Sequence, residues 1–233
     1  EGRKLLSYQE GVVATVSTWH TVLGGFEPQT CWEFLSLQVN GKSDASAAGA
    51  FQLPPNRRCV DYLGKPHRVK PEMVSMRGDM ETQVLSGLLG ALLLPDGHRI
   101  DRALVIGWGS GISVGEIAHV GAAKVDAVEL EPEVLRAARF FERYNRQAAS
   151  AKNVRILKAD GRNVLLAMRD GFDLIISEPS NPWMTGAASL FTREFFQLVR
   201  SRLHRKGLFI QWLQTYEISL KNALSVIATL RAV

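Results

Sequence analysis

Three glycines at alternate positions, followed about twenty residues later by a glutamate, are the clearest candidates for a ligand site. Gly107, Gly109 and Gly111 follow the apolar run Ala103–Ile106, and Glu129 lies near the end of the next apolar run. Glycine lets a ligand approach the backbone closely, and a carboxylate at this spacing can accept hydrogen bonds from both ribose hydroxyls. The alternative is a tight turn that only packs a helix on a strand. Because the spacing is G-x-G-x-G and no GK[ST] follows, the unit favours a phosphate-free nucleoside such as S-adenosylmethionine over NAD or ATP.

Two further carboxylates follow apolar runs that have the pattern of strands. Asp160 comes after residues 154–159, and Glu178 comes after residues 172–177. In an open parallel sheet, ligands bind beyond the carboxyl ends of the strands. Asp160 could accept a hydrogen bond from an adenine amino group or cap the helix that begins at Gly161, and the sequence does not separate these roles. For Glu178 we favour a general base or a partner for an ammonium group over a rim carboxylate paired with an arginine.

The remaining residue types with chemical potential have weaker patterns. Trp108 in the glycine turn and Trp183 after residue 177 could contact a cation, although packing against the sheet is the commoner role. The five histidines have no metal-ligand spacing, so we predict no metal site. Cys31 and Cys59 are far apart in sequence and do not form a metal-type pair, so we expect reduced thiols and a reducing compartment.

The composition is typical of a globular chain with a sizeable core. The 233 residues suit one large domain plus a small one, with 46% hydrophobic and 22% charged residues. The net charge of +5 and pI of about 9.4 are mildly basic, without the basic stripe of a nucleic-acid binder. The longest apolar run, residues 84–94, is too short to span a bilayer. We therefore predict a cytoplasmic chain that itself contacts neither nucleic acid nor membrane, and its start at Glu1 suggests a processed or excised fragment.

Alternating patterns predict the fold class. Residues 11–17 and 32–39 predict strands and Asn40-Gly41 a hairpin turn, followed by a basic, proline-rich insertion at about 43–77. Beyond it, helices alternate with strands, which predicts a Rossmann-like α/β domain with a parallel sheet. We thus expect a small N-terminal antiparallel β unit at 1–77 and a catalytic domain at 78–233, truncated at its C-terminus because such folds usually add an antiparallel strand pair. The predicted helices are 79–94 (capped by Asp79), 113–120, 132–145, 161–168, 192–203 and 219–230, and the predicted parallel strands are 103–106, 124–130, 154–159, 172–177 and 207–213.

At these residues the chain resembles the spermidine synthase (polyamine aminopropyltransferase) family, and in particular the branch fused to transporter-like membrane segments. The resemblance rests on LQVNGK, GDMETQ, VIGWGSG, VELEP, KADGRN and IISEPSNPW, which cover most of the chain between Leu37 and Gln214. It implies a homodimer that uses decarboxylated S-adenosylmethionine as donor to a small amine acceptor. It also implies that Glu129 binds the ribose, Asp160 binds the adenine and Glu178 deprotonates the acceptor.

The resemblance implies further site residues. In the donor site these are the glycine turn with Ser110, Leu130 beside Glu129, and Gly161 beside Asp160. The acceptor site is implied at Gln38, Glu81, Gln83, Asn181 and Trp183.

The chain departs from the family pattern in three places. Residues 178–182 stand where the family has D-S-S-D-P, and Glu81 and Gln83 correspond roughly to a tyrosine and an acid ahead of the helix. The third place is the glycine turn. Ser110 stands where the family has an acid, and Asn181 stands where it has the second aspartate that helps hold the diamine. A lost charge-assisted hydrogen bond costs about 1.5–3 kcal/mol, so putrescine as substrate does not follow from the resemblance. Two alternatives stay open. One is a methyltransferase using S-adenosylmethionine, since Ser110 could admit the donor's carboxylate and residues 181–183 loosely resemble the N-P-P-[YF] loop of amine methyltransferases. The other is a nucleoside-sensing domain without turnover.

Overall fold

The N-terminal residues form an antiparallel sheet with strand order β1-β2-β3-β4. In the computed structural model, which describes residues 3–24, 29–54, 57–61, 63–66, 79–95, 97–184, 186–215 and 218–233, the strands are β1 Arg3–Glu10, β2 Thr15–Gly24, β3 Thr30–Val39 and β4 Lys42–Gln52. Asn40 and Gly41 have positive φ values of 51° and 77°. Both values suit the tight β3–β4 turn that the Asn-Gly pair predicts.

This sheet differs from the sequence prediction in several places. Strand β1 was not predicted, and β2 continues to Gly24, beyond the predicted end at residue 17. Residues 11–14 belong to the connection between β1 and β2, so the predicted strand at 11–17 is wrong in its first part. Residues 42–52 form β4, although the sequence pattern placed most of them in an irregular insertion. Ala45 and Ala47 are buried on one face of β4. Alanine and serine are both small and differ little in hydrophobicity. The alternation between the two faces of β4 was therefore missed in the sequence. Of the rest of the predicted insertion, residues 67–77 lie outside the described residues.

The two cysteines form a disulfide. Cys31 in β3 and Cys59 have Cα atoms 5.7 Å apart, within the usual range for this bond. The expectation of reduced thiols is therefore wrong, because residues separated by 28 positions in sequence meet through the folding of the chain. The bond ties the segment after β4 to the antiparallel sheet, and such bonds are typical of oxidising compartments.

Five parallel strands form the second sheet, in the order β7-β6-β5-β8-β9. Its strands are β5 Ala103–Ile106, β6 Val125–Glu129, β7 Val154–Lys158, β8 Phe172–Ser177 and β9 Leu203–Gln211; the helices are α1 Met80–Leu93, α2 Ile112–His119, α3 Pro132–Ala137, α4 Gly161–Ala167, α5 Arg193–Arg202 and α6 Leu220–Arg231. The central strands β5 and β8 are buried along their whole length, as strands covered on both faces are. The predicted Rossmann-like fold with an N-terminal antiparallel unit is confirmed. Strand order reverses at β5, so a ligand crevice is expected at the carboxyl ends of β5 and its neighbours.

Several helix and strand predictions need correction. The helix predicted over 132–145 is α-helical only to Ala137, and a 3-10 turn follows at Ala138–Phe141. Asn145 leaves the helical pattern because its amide donates to the Ser110 carbonyl at 2.8 Å. Asp79 is the N-cap residue of α1, but its side chain does not cap the helix; it accepts a hydrogen bond from Ser46 Oγ at 3.3 Å. Strand β9 begins at Leu203, four residues earlier than predicted.

One hydrophobic core joins the two sheets. Leu35, Leu37 and Ala45 of the antiparallel sheet belong to the same buried cluster as Trp108 and Phe141. The antiparallel sheet is therefore packed directly against the parallel-sheet domain, beside the glycine turn. Within the described ranges, none of the helices combines the length and apolar character needed to cross a bilayer. The boundary predicted between residues 77 and 78 stays a prediction, because both residues lie outside those ranges.

Candidate active site

The turn after β5 forms the floor of the candidate site. Gly107, Gly109 and Gly111 have φ values of 97°, 53° and 81°, in the region that disfavours side chains. A Cβ atom at Gly107 would overlap the carbonyl oxygen of Glu178, so only glycine fits where the two strand ends meet. At Gly109 the nearest atom to a Cβ position is the Ala45 methyl at 3.6 Å. A ligand can therefore approach the backbone at this glycine.

Glu129, the last residue of β6, faces this turn. Its Oε2 accepts from the Trp108 backbone N–H at 3.0 Å, and its Oε1 accepts from the Glu131 backbone N–H at 2.8 Å. These bonds orient the carboxylate, and each oxygen keeps a lone pair for a ligand hydroxyl. Burial raises the pKa of Glu129 to about 7 against the effect of these backbone bonds, and the negative charge of Asp44 adds to the rise. The carboxylate can thus accept two neighbouring hydroxyls, as a ribose would offer.

A first cleft of about 840 Å³ lies over the glycine turn and Glu129. Leu130, Asp160 and Gly161 line it beside the glycines, so most of the predicted donor residues come together here. Asp160 Oδ1 accepts from the Asn163 backbone N–H at 2.9 Å and caps α4. Because Asp160 also lines the cleft, capping and binding of a ligand amino group are compatible roles for its two oxygens.

A second cleft of about 620 Å³ adjoins the first. The residues that line both clefts are Asp44, Gly107, Gly109, Glu178, Pro179 and Ser180. The second cleft is completed by Ser43, Ala45, Asp79, Thr82, Gln83, Trp108, Asn181 and Trp212. Among the described residues that line either cleft there is no lysine, arginine or histidine, whereas six carry carboxylates. The joined clefts therefore favour positively charged ligands.

Glu178 follows β8 at the place where the clefts meet. Its Oε1 accepts from Ser113 Oγ at 3.0 Å, and Ser86 supplies a second side-chain hydrogen bond. Burial nevertheless raises the pKa of the Glu178 carboxyl above its usual value. A carboxylate with a raised pKa is a stronger base, so Glu178 is suited to take a proton from an amine in the second cleft.

Two carboxylates that the sequence analysis did not assign to the site also line the second cleft. Asp44 of β4 accepts from Ser180 Oγ at 2.5 Å, and Asp79 accepts from Ser46. Burial raises the pKa of both carboxyls, and the charge of Asp79 adds to the rise at Asp44. Asp44 was missed because its strand was interpreted as a loop, and Asp79 because it was interpreted only as a cap.

Glu131 was also missed. Its carboxylate accepts from the backbone N–H groups of Val13 at 2.8 Å and Ala14 at 3.2 Å, and from Glu133 at 3.1 Å. It therefore holds the β1–β2 connection against the start of α3, where Val13 and Ala14 line the first cleft. No local sequence pattern predicts this contact, because more than a hundred residues separate Glu131 from Val13 and Ala14.

Two of the predicted acceptor residues line the second cleft. Gln83 does so from α1, where its amide donates to the Ser46 carbonyl at 3.3 Å. Asn181 does so from the loop after β8 and is 7% exposed.

Five other predicted residues do not line either cleft. Gly111, the last glycine of the turn, is the N-cap residue of α2. Ser110 is fully buried behind the turn and donates its hydroxyl to Gln83 Oε1, because the turn directs this side chain towards α1. Glu81 lies on the exposed face of α1, since a spacing of two residues from Gln83 leads to another side of a helix. Gln38 precedes Val39, which lines the first cleft, and neighbours in a strand face opposite sides. Trp183 is 50% exposed, and the Lys42 ammonium lies 4.6 Å from its ring centre.

Comparisons with known proteins agree with this geometry. A family model described as spermine/spermidine synthase domain matches residues 88–233. Polyamine aminopropyltransferase 2 of Streptomyces coelicolor is 32% identical over 111 residues, which cover 46% of this chain and 20% of the relative. Polyamine aminopropyltransferase of Erwinia tasmaniensis is 32% identical over 111 residues, covering 47% of this chain and 39% of the relative. The chain thus spans well under half the length of these curated relatives.

Solved structures show the same fold. A crystal structure of spermidine synthase in complex with the transition-state analogue AdoDATO matches with a TM-score of 0.73 at 15% identity, over 99% of this chain and 65% of that chain. Spermidine synthase from Thermotoga maritima matches with a TM-score of 0.71 at 15% identity, over 99% of this chain and 64% of that one. At this identity the likeness concerns the fold alone.

Proposed function

Because the chain belongs to the spermine/spermidine synthase family, we propose that it transfers an aminopropyl group from decarboxylated S-adenosylmethionine to an amine. The observation that carries the proposal is the pair of joined clefts. One cleft presents Glu129 and Asp160 to a nucleoside, the other is lined by Asp79 and Asn181, and Glu178 lies where they meet. This arrangement supports binding of a cationic acceptor next to the sulfur of the donor.

The reaction follows from the positions of these groups. The acceptor enters the second cleft as an ammonium, and the Glu178 carboxylate takes one proton from it. The neutral amine then uses its lone pair to form a bond to the methylene carbon next to the sulfonium. The carbon–sulfur bond breaks, its electron pair stays on sulfur, and neutral methylthioadenosine leaves. Since the sulfonium already is a good leaving group, positioning and deprotonation are what the protein supplies.

The charge of the clefts supports the decarboxylated donor over S-adenosylmethionine itself. The donor that retains its carboxylate would bring a negative charge among Asp44, Glu129 and Glu178, and no described lining residue is a cation that could pair with it. An unpaired buried charge is costly. Ser110 lies behind the turn and so leaves no extra room for that carboxylate. The methyltransferase alternative therefore has no supporting contact.

Product identification by mass spectrometry tests the proposal. The purified chain is incubated with each donor and a panel of diamines and polyamines. We expect methylthioadenosine to form only when amine is present, together with an amine lengthened by one aminopropyl group. Adenosylhomocysteine instead would establish methyl transfer. Nucleoside binding without either product would favour a sensor domain.

Three further features stay predictions. A homodimer and a parent chain with membrane segments rest on the resemblance, and a cytoplasmic placement of this domain rests on the composition. The Cys31–Cys59 disulfide opposes the last of these, because such bonds are rare in reducing compartments. Light scattering of the purified chain would test the dimer, and thiol labelling in intact cells would test the placement.

A further inference from the structure

Asp44 lies at the junction of the two clefts, although its strand belongs to the N-terminal sheet. It lines both clefts, and its Oδ1 accepts from Ser180 Oγ at 2.5 Å. This bond fixes the carboxylate against the loop that follows β8. Lys42 is a cation that acts on the Asp44 pKa, but it lines neither cleft. The negative charge of Asp44 is therefore available to a ligand in the space that the two clefts share.

The loop after β8, whose Ser180 bonds Asp44, also carries a neutral polar side chain that lines the second cleft. Asn181 lines the second cleft and is 7% exposed, and its side-chain amide has no hydrogen bond with any described residue. Buried amides usually have partners. An unpartnered amide facing the cleft points to a ligand there, and Asp44 of β4 adds a carboxylate to that of Glu178 in the lining of the same cleft.

Asp44 is closer to the nucleoside end of the shared space than Asp79 is. The charge of Asp44 raises the pKa of Glu129, the proposed ribose ligand, whereas Asp79 has no such effect and lines the second cleft only. In the donor, the aminopropyl chain begins at the sulfur next to the ribose. A chain leaving the ribose at Glu129 therefore enters the space beside Asp44.

We propose that Asp44 selects the decarboxylated donor, by pairing with the ammonium at the end of the aminopropyl chain and by repelling a donor that retains its carboxylate. This inference rests on the proposed function, since it assigns a residue to that function's donor. The charge-assisted bond to the ammonium is worth about 10- to 100-fold in affinity. Like charges at this position oppose binding of the carboxylated donor.

Calorimetric titration of the full chain with three nucleosides tests the assignment. Methylthioadenosine is neutral and has neither the ammonium nor the carboxylate, the decarboxylated donor has a sulfonium and the ammonium, and S-adenosylmethionine has the carboxylate in addition to both. Asp44→Asn should weaken the decarboxylated donor about 10- to 100-fold and leave methylthioadenosine within about twofold. The preference for the decarboxylated over the carboxylated donor should shrink accordingly.

Asp79→Asn is the matched control, because it makes the same change in the second cleft only. The charge of Asp79 raises the pKa of Asp44, so its removal favours the ionised form of Asp44 and should not weaken the affinity for the decarboxylated donor. Ser180→Ala should shift donor preference in the direction of Asp44→Asn but less, since it loosens the carboxylate without removing it. Intact binding of methylthioadenosine shows that a variant is folded. A smaller preference for the decarboxylated donor in that variant then results from the substitution itself.

Four outcomes would overturn the assignment. Unchanged donor affinity in Asp44→Asn, with a raised KM for the amine, would make Asp44 an acceptor residue. Equal weakening of all three nucleosides would make its role structural. Wild-type chain that binds methylthioadenosine but does not distinguish the donors would refute selection by Asp44, while aminopropyl transfer would still be judged by its products. Wild-type chain that binds none of the three would end both proposals.

Discussion

Nucleoside binding should depend on pH through Glu129. Ribose hydroxyls donate to the ionised carboxylate, so the ligand binds the deprotonated form and lowers the pKa of the group in the complex. In the empty site the pKa of Glu129 is about 7. Below that value a proton must leave before the ligand binds, so affinity rises with pH through 7 and levels off above it.

The expected magnitude follows from the fraction of ionised Glu129. With a pKa of about 7, about a tenth of the carboxyl groups are ionised at pH 6 and about nine tenths at pH 8. Affinity should therefore rise about tenfold between these values, which corresponds to about 1.4 kcal/mol. An unshifted glutamate, with a pKa of about 4.3, would be fully ionised throughout and would give no change.

Titration calorimetry with methylthioadenosine measures this dependence. Methylthioadenosine carries no sulfonium or ammonium, so the titration of Asp44 and Glu178 affects its binding little. Measurements near pH 6 in buffers of different ionisation enthalpy should show release of close to one proton per ligand. Glu129→Gln keeps the shape of the side chain but cannot ionise, so its affinity should be low and independent of pH.

The reasoning would be refuted by equal wild-type affinity at pH 6 and pH 8. It would also be refuted if Glu129→Gln retained the wild-type slope, because another group would then be the one that titrates.

Three other predictions concern catalysis and stability. Glu178→Gln should lower the transfer rate about 10²–10⁴-fold at unchanged methylthioadenosine affinity; a variant at wild-type rate would remove Glu178 from the mechanism. Gly107→Ala should cost more in free energy of unfolding by urea than Gly121→Ala, because both glycines have φ near 100° but a Cβ overlaps other atoms only at Gly107. The positive φ costs an alanine about 1–2 kcal/mol at either position, and the overlap at Gly107 adds about 1–3 kcal/mol. Equal losses of unfolding free energy in the two variants would therefore contradict the overlap. Cys31→Ser should lower the free energy of unfolding by about 3–4 kcal/mol for a loop closed over 28 residues, and reductant should destabilise the wild type but not this variant.

Local signals were sufficient for the parallel-sheet domain. The run Phe172–Ser177 is mostly apolar and was predicted with the observed bounds. The glycine turn and Glu129 are separated by one helix, so their relation is readable as a spacing. Asp160 and Glu178 follow apolar runs, and parallel strands bring their ends to one edge. The first cleft could therefore be anticipated in most of its parts.

The second cleft could not be anticipated in the same way. Besides Glu178, its acids come from β4 and from the residue before α1, and Gln83 was proposed only through the resemblance. Glu81 and Trp183 were proposed on the same ground, yet neither lines a cleft. Motif position alone does not say which way a side chain points, since that depends on helix rotation and on the packing of the next element.

The sequence by itself determined the order of strands and helices in the parallel-sheet domain, the need for glycine after β5, and the carboxylates at the strand ends, because each depends on residues close together in the chain. Only the tertiary structure decided which distant residues meet. Asp44 and Ser180 are 136 positions apart, Val13 and Glu131 are 118 apart, and Cys31 pairs with Cys59. The first two contacts arise when the antiparallel sheet packs against the parallel-sheet domain, and none of the three leaves a periodic mark in the sequence. One of them adds the Asp44 carboxylate to that of Glu178 at the junction of the clefts.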